Sequence, residues 1–221
     1  MKKSVLAILC AIFAVTFSAC GSKDNGITQK EYSKFFDAPE VKAIKAENLA
    51  TARIRGDEFE TALFFNQSLP VGEMFAITMF HKNTTGKKLN KKAPYVEVYR
   101  TLGDYRIFVG NVYDMPNMVD RDTYNKNQIH RSQWFVESII HRVQIFHLTT
   151  GKQIGEYNPN TGLFDYTDEE RTFLVEMGYD LKTPPLGDEP PTEFNRVNAP
   201  VGKYTIRLST GQIIDDAFYI V

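Results

Sequence analysis

The chain has 221 residues, with 26 basic and 27 acidic side chains and a net charge of −1. That length carries one large domain or two small ones and lets a chain bury roughly 70 % of its unfolded surface. The near balance of charge leaves no electrostatic footprint for nucleic acid, so that class of partner is not expected.

Met1 to Ala19 open with Lys2 and Lys3, run almost unbroken apolar from Val5 to Phe17, and close on Ser18 and Ala19. A basic start, a short greasy stretch and a small-residue cleavage site describe a secretory signal. The run is shorter than the about 20 residues that a membrane-spanning helix needs. Phe17-Ser18-Ala19-Cys20 then resembles the lipobox of bacterial lipoproteins, with Phe17 at the position usually held by Leu. The resemblance implies that the Cys20 thiol receives a diacylglycerol, that residues 1–19 are cut away, and that the new amino terminus is acylated. Two or more acyl chains, at about 0.8 kcal/mol per buried methylene, anchor stably where one does not. Gly21 follows in place of Asp, which by resemblance to the enterobacterial sorting rule favours the outer membrane. Two other readings of the same residues stay open: an ordinary secreted protein with a cysteine near its cleavage site, and a buried amino-terminal helix.

The two cysteines are Cys10 and Cys20, of which the resemblance implies that the first is lost with the signal and the second blocked by lipid. An exported body with no thiol to pair must rest on its core. Aromatic side chains are frequent, with 16 Phe and 11 Tyr, as suits a β-rich body.

Gly21 to Gly26 is polar and glycine-bounded, and residues 20–27 are expected to be a lipidated tether. Thr28-Gln29-Lys30-Glu31 is a capping box, with Ile27 and Tyr32 as its hydrophobic staple. The spacing predicts a helix through Phe35 and Phe36. A second helix is expected from a cap at Asp37, with Pro39 in its first turn and Val41, Ile44 and Leu49 on one face, stopping at Gly56. Residues 28–56 are thus expected to be a helical segment.

From Asp57 the period changes to two. Phe59, Thr61, Leu63 and Phe65 alternate, Pro70-Val71-Gly72 turns the chain, and Met74 to His81 reads as a strand. A turn follows with Gly86 at a position wanting positive φ, and then strands over 95–99 and 105–113. Trp134 to Leu148 reads as a strand and hairpin. Thr167-Asp168-Glu169-Glu170 is a second capping box, opening a short helix that Gly178 stops. Thr183 to Pro200, rich in proline, is expected to be an extended loop. Tyr204, Ile206 and Leu208 alternate in a closing hairpin that resembles the last hairpin of an immunoglobulin-like sandwich. Residues 57–221 are therefore expected to form one antiparallel, immunoglobulin-like β-sandwich domain carrying one short inserted helix.

Residues 114–133 break the strand rhythm, and a connection of that length is either an ordinary crossover or a recognition surface. Met115, Asp120, Asp122, Tyr124 and Asn125 are its candidate binding residues. Asp120, Asp122 and Asn125 look briefly like a calcium loop. The required glycine is missing, however, and Arg131 stands where the bidentate Glu belongs. His81, His130, His141 and His147 lack the close spacing of a helical metal site. No serine sits between the glycines of a nucleophile elbow, and Gly86-Lys87 lacks the rest of a phosphate loop. No metal, cofactor or catalytic residue is assigned. The sequence reads as a non-catalytic binding or structural protein of the cell envelope, attached to the bilayer through Cys20 and recognising a protein or glycan. The alternative is an inhibitor or immunity-type protein that blocks a hydrolase or toxin, with an enzyme third.

Overall fold

The computed structural model describes residues 25–91, 94–109, 123–181 and 196–221. Cys20, Met115, Asp120 and Asp122 lie outside the described residues, as does the 110–113 end of one expected strand.

In chain order the elements are α1 (Gln29–Phe35), α2 (Pro39–Lys42), β1 (Leu49–Arg55), β2 (Phe59–Asn66), β3 (Ser68–Leu69), β4 (Met74–Asn83), β5 (Val96–Leu102), β6 (Tyr105–Val109) and β7 (Ile129–Glu137). These are followed by β8 (Ile139–His141), β9 (Ile145–His147), β10 (Glu156–Asn158), β11 (Leu163–Asp165), α3 (Asp168–Glu176), β12 (Arg196–Asn198), β13 (Gly202–Leu208) and β14 (Ile213–Ile220). One sheet runs β1-β2-β4-β7, antiparallel throughout. The other runs β3-β14-β13-β5-β6-β9, antiparallel except where the short β3 lies parallel to β14. The small ribbons β10-β11 and β8-β12 complete a mainly β, antiparallel sandwich.

Alternation along the strands assigns each side chain its layer. Leu63 and Phe65 of β2 join Ile77, Met79 and Trp134 from their own sheet. Across from them, Val98, Ile107, Tyr204, Ile206 and Phe218 of the second sheet close one continuous core. The other face of β2 carries Glu60, Ala62 and Phe64. The amino-terminal segment covers it, with Ile27, Phe35 and Val41 packing on Ala62, Phe64 and Phe80. Covered on both faces, β2 is buried at every position from Phe59 to Phe65.

Both expected capping boxes form. The Thr28 hydroxyl accepts from the Glu31 N–H at 3.2 Å while the Glu31 carboxylate takes the Thr28 N–H at 2.7 Å. Thr167 and Glu170 repeat the pattern at 3.2 and 2.8 Å. Gly86 has the positive φ its turn wants, +75°. The closing hairpin also stands, as β13 and β14.

Three expectations are corrected. The helical segment does not reach Gly56: residues 49–55 are the edge strand β1, paired with β2 from Leu49↔Asn66 to Arg55↔Glu60. Ala50, Ala52 and Ile54 turn to the core at period two, and the ladder offered by β2 outweighs the weak helical face. Asp37 is not the cap of α2. Ala38 holds that position with Pro39 just inside, and Asp37 pairs instead with Lys42 on the surface at 2.9 Å. Thr183 to Pro200 is not loop to its end, because Arg196–Asn198 pairs with β8. The Trp134–Leu148 stretch is strand as expected, interrupted by a 3-10 turn at Arg142–Gln144.

Candidate functional site

At one end of the four-stranded sheet, three charged side chains stand on the face that the amino-terminal segment covers. Glu60 of β2 and Lys82 of β4 are register partners, and Arg53 lies on the neighbouring strand. Glu60 and Lys82 are buried, at 3 % and 5 % exposure, where an unpaired charge would be costly. Apart from Arg53, which pairs with Glu60, their side-chain partners lie on the chain as it enters α1. The Ile27 N–H donates to the Glu60 carboxylate at 2.9 Å, and Arg53 bridges Glu60 to the Ile27 carbonyl. Lys82 Nζ donates to the Gly26 carbonyl at 2.7 Å and to both Glu31 oxygens at 2.8 and 3.0 Å. The sheet thus grips the backbone of Gly26–Ile27 from both sides. Burial pushes the Glu31 carboxyl up, but Lys82 and the Thr28 donors outweigh it and hold the group below its ordinary range. The sign of each charge matches its backbone partner, a carboxylate on the N–H and cations on the carbonyls.

The loops at the same end are tied together by Asn83, the last residue of β4 and fully buried. Its amide donates to the Lys87 carbonyl at 2.7 Å and to the Tyr124 and Asn125 carbonyls at 3.2 Å each. The Thr84 N–H donates to the Glu58 carbonyl at 2.9 Å, which brings in the β1–β2 turn. Asn25, the first described residue, donates its side-chain amide to the Thr84 carbonyl at 3.3 Å.

Two of the five candidate binding residues fall here. Tyr124 is not a surface reader: it is 1 % exposed, its ring packs edge-on against Phe59 and His130, and its backbone pairs both ways with Leu89. Its polar neighbours made it look like a loop tip, and a single distant bridge turns it inward. Asn125 is exposed and lends its backbone to the junction. Met115, Asp120 and Asp122 are outside the described residues.

His81 and His130 are register partners on β4 and β7, while His141 and His147 lie on β8 and β9. His81 is fully buried, its two ring nitrogens 3.2 Å from the Thr61 hydroxyl and 2.9 Å from that of Ser132. Burial, and then neighbouring His130, press its imidazole down to about 3. Among the described residues, no group of three or more His, Cys, Asp or Glu side chains is placed to hold a metal.

His147, on β9, meets Glu170 of α3 at 2.7 Å. The same carboxylate accepts the Thr167 and Gly155 N–H groups at 2.8 and 3.2 Å. Burial raises the Glu170 carboxyl, but those two donors and His147 together bring it below its ordinary value. With Phe173 stacked on Tyr105 at 4.1 Å, the arrangement docks α3 onto the edge of the six-stranded sheet. A carboxyl whose pKa falls on folding contributes fully above the ordinary 4.5 and loses that contribution as pH drops through the folded value. Glu170→Gln is therefore expected to lower Tm at neutral pH, with the gap to the parent narrowing in acid. Parallel Tm profiles for the two proteins in thermal scans down through that range would overturn the assignment.

The chain matches no family model, no curated protein and no solved structure.

Proposed function

We propose that the protein is a lipid-anchored component of the bacterial cell envelope. In this reading it acts without catalysis, as a binding or structural body held at the membrane by acylated Cys20 and placed on the outer membrane by Gly21. The observation that carries the reading is a conjunction. A lipobox-like Phe17-Ser18-Ala19-Cys20 stands just before Gly26–Ile27, the segment that two buried charges and Arg53 fasten to the sheet. A lipid anchor needs such a fastening, because tension on the tether reaches the folded body at that point. The six-stranded sheet and the loops away from the tether are left for a protein or glycan ligand.

Metabolic labelling with an alkyne fatty acid tests the anchor. The native chain is expected to incorporate label and stay in the carbonate-washed membrane fraction. Cys20→Ala is expected to lose both, and its continued retention in washed membranes would defeat the proposal. Crosslinking in intact cells followed by mass spectrometry then identifies the ligand.

A further inference from the structure

We infer that the Asn83-tied end of the sandwich faces the anchoring bilayer and that Lys87, Lys88 and Lys126 there rest on anionic phosphate headgroups. The inference builds on the lipid-anchor reading and adds an orientation and a second contact to it. Covalent geometry alone keeps Asn25 within about 18 Å of Cys20. Asn25 in turn lies against the 84–88 loop, through its bond to Thr84 and its approach to Gly86. Lys87 and Lys88 follow directly, and Lys126 follows Asn125 on the turn that Asn83 binds to that loop.

All three lysines are exposed, and among the described residues none of them has an acidic partner. The acidic groups of the adjoining β1–β2 turn are Asp57 and Glu58. Lys91 already occupies Glu58 at 2.9 Å, so among the described residues of this face the three lysines stand against Asp57 alone. That excess contrasts with a chain whose net charge is −1. Basic side chains beside a lipid anchor each strengthen attachment to an anionic surface about fivefold, and the attraction fades within a Debye length.

Among the described residues, the opposite end carries no such cluster of lysines. It includes the 70–73 turn, which the Ser138 hydroxyl holds at 3.1 and 3.0 Å, with the Pro200–Gly202 and Gly103–Asp104 turns beside it. The 149–152 turn that bears Lys152 lies against Asp104 at that end, through the Leu148 N–H at 2.7 Å. In this orientation those turns point away from the membrane, where a ligand would meet them.

The test uses the full acylated chain, reconstituted into vesicles of phosphatidylcholine alone or mixed equally with phosphatidylglycerol. Reaction with an amine reagent is read by mass spectrometry, with Lys152 as internal reference. In the anionic vesicles, labelling of Lys87, Lys88 and Lys126 is expected to fall by about threefold or more relative to Lys152. Labelling should recover in about 1 M NaCl, where the screening length falls to about 3 Å. Inorganic phosphate added to neutral vesicles should leave labelling unchanged. A chain that floats with both vesicles but labels equally in each would overturn the orientation while leaving the anchor intact. Protection by phosphate alone would show a soluble-anion site and overturn the bilayer contact. A chain that fails to float would remove the anchor reading and this inference with it.

Discussion

Phe64→Ala is expected to destabilise the body by about 3–5 kcal/mol, the cost of truncating a buried aromatic ring when its pocket cannot fully collapse. Phe64 is fully buried, yet it does not face the second sheet. Its ring sits among Tyr32, Phe35, Phe36 and Phe80, with centroids 5.8, 6.4, 5.1 and 5.7 Å away. Three of these four rings come from the amino-terminal segment, so the loss falls on the contact between helix and sheet. The pairs with Phe35, Phe36 and Phe80 are edge-to-face, and such pairs add about 0.5–1.5 kcal/mol each beyond the area they bury. Chemical denaturation of the variant measures the total. A loss below about 1 kcal/mol would mean that the segment is a surface attachment and not a third layer.

The same layer shows what a sequence of this kind discloses. The capping boxes at Thr28 and Thr167 were legible because donor and acceptor lie three residues apart, and local chemistry decides them. The strands β2 and β13 were legible from their period, and β4 from its apolar run. Leu49–Arg55 was not, because Leu49 extends the helical face of Val41 and Ile44 as readily as Ala50, Ala52 and Ile54 alternate. Only the pairing with β2 decides between the two.

The clamp was hidden for a related reason. Alternation makes Glu60 a polar partner of Phe59 and Thr61, and Lys82 stands where the apolar run of β4 gives way to a polar turn. Their role depended on the Glu60↔Lys82 register and on a backbone segment far back in the chain. Tyr124 fails in the opposite sense, its core position resting on one bridge to Leu89 across a long connection. Cys20, by contrast, is argued wholly from the sequence around it.

Glu60→Ala is expected to cost about 2–4 kcal/mol. Removing one member of a buried ion pair costs about 3–5 kcal/mol when the other charge is stranded, and an orphaned backbone donor about 1–3. Arg53 softens the loss, since its side chain is 38 % exposed and can turn to water. The Ile27 N–H has no such escape, because Ile27 is 2 % exposed. Glu60→Gln separates the two contributions by keeping an acceptor for Ile27 while removing the charge, and should recover roughly half the loss. Hydrogen exchange at the Ile27 amide provides the local readout. Slow exchange there in Glu60→Ala would show that the clamp is not what holds the segment. Glu60 and Phe64 lie on one face of β2, about 13 Å apart, far enough for independent effects to add within about 0.5 kcal/mol. If residues 26–42 leave the sheet as one cooperative unit, the second substitution costs little once the first has released them, and the double variant falls short of the sum. Additivity would instead mean that the clamp and the aromatic layer hold separately. Under the proposed lipid anchor, tension arriving through the tether would then meet the buried charges at Gly26–Ile27 before it reached the rings around Phe64.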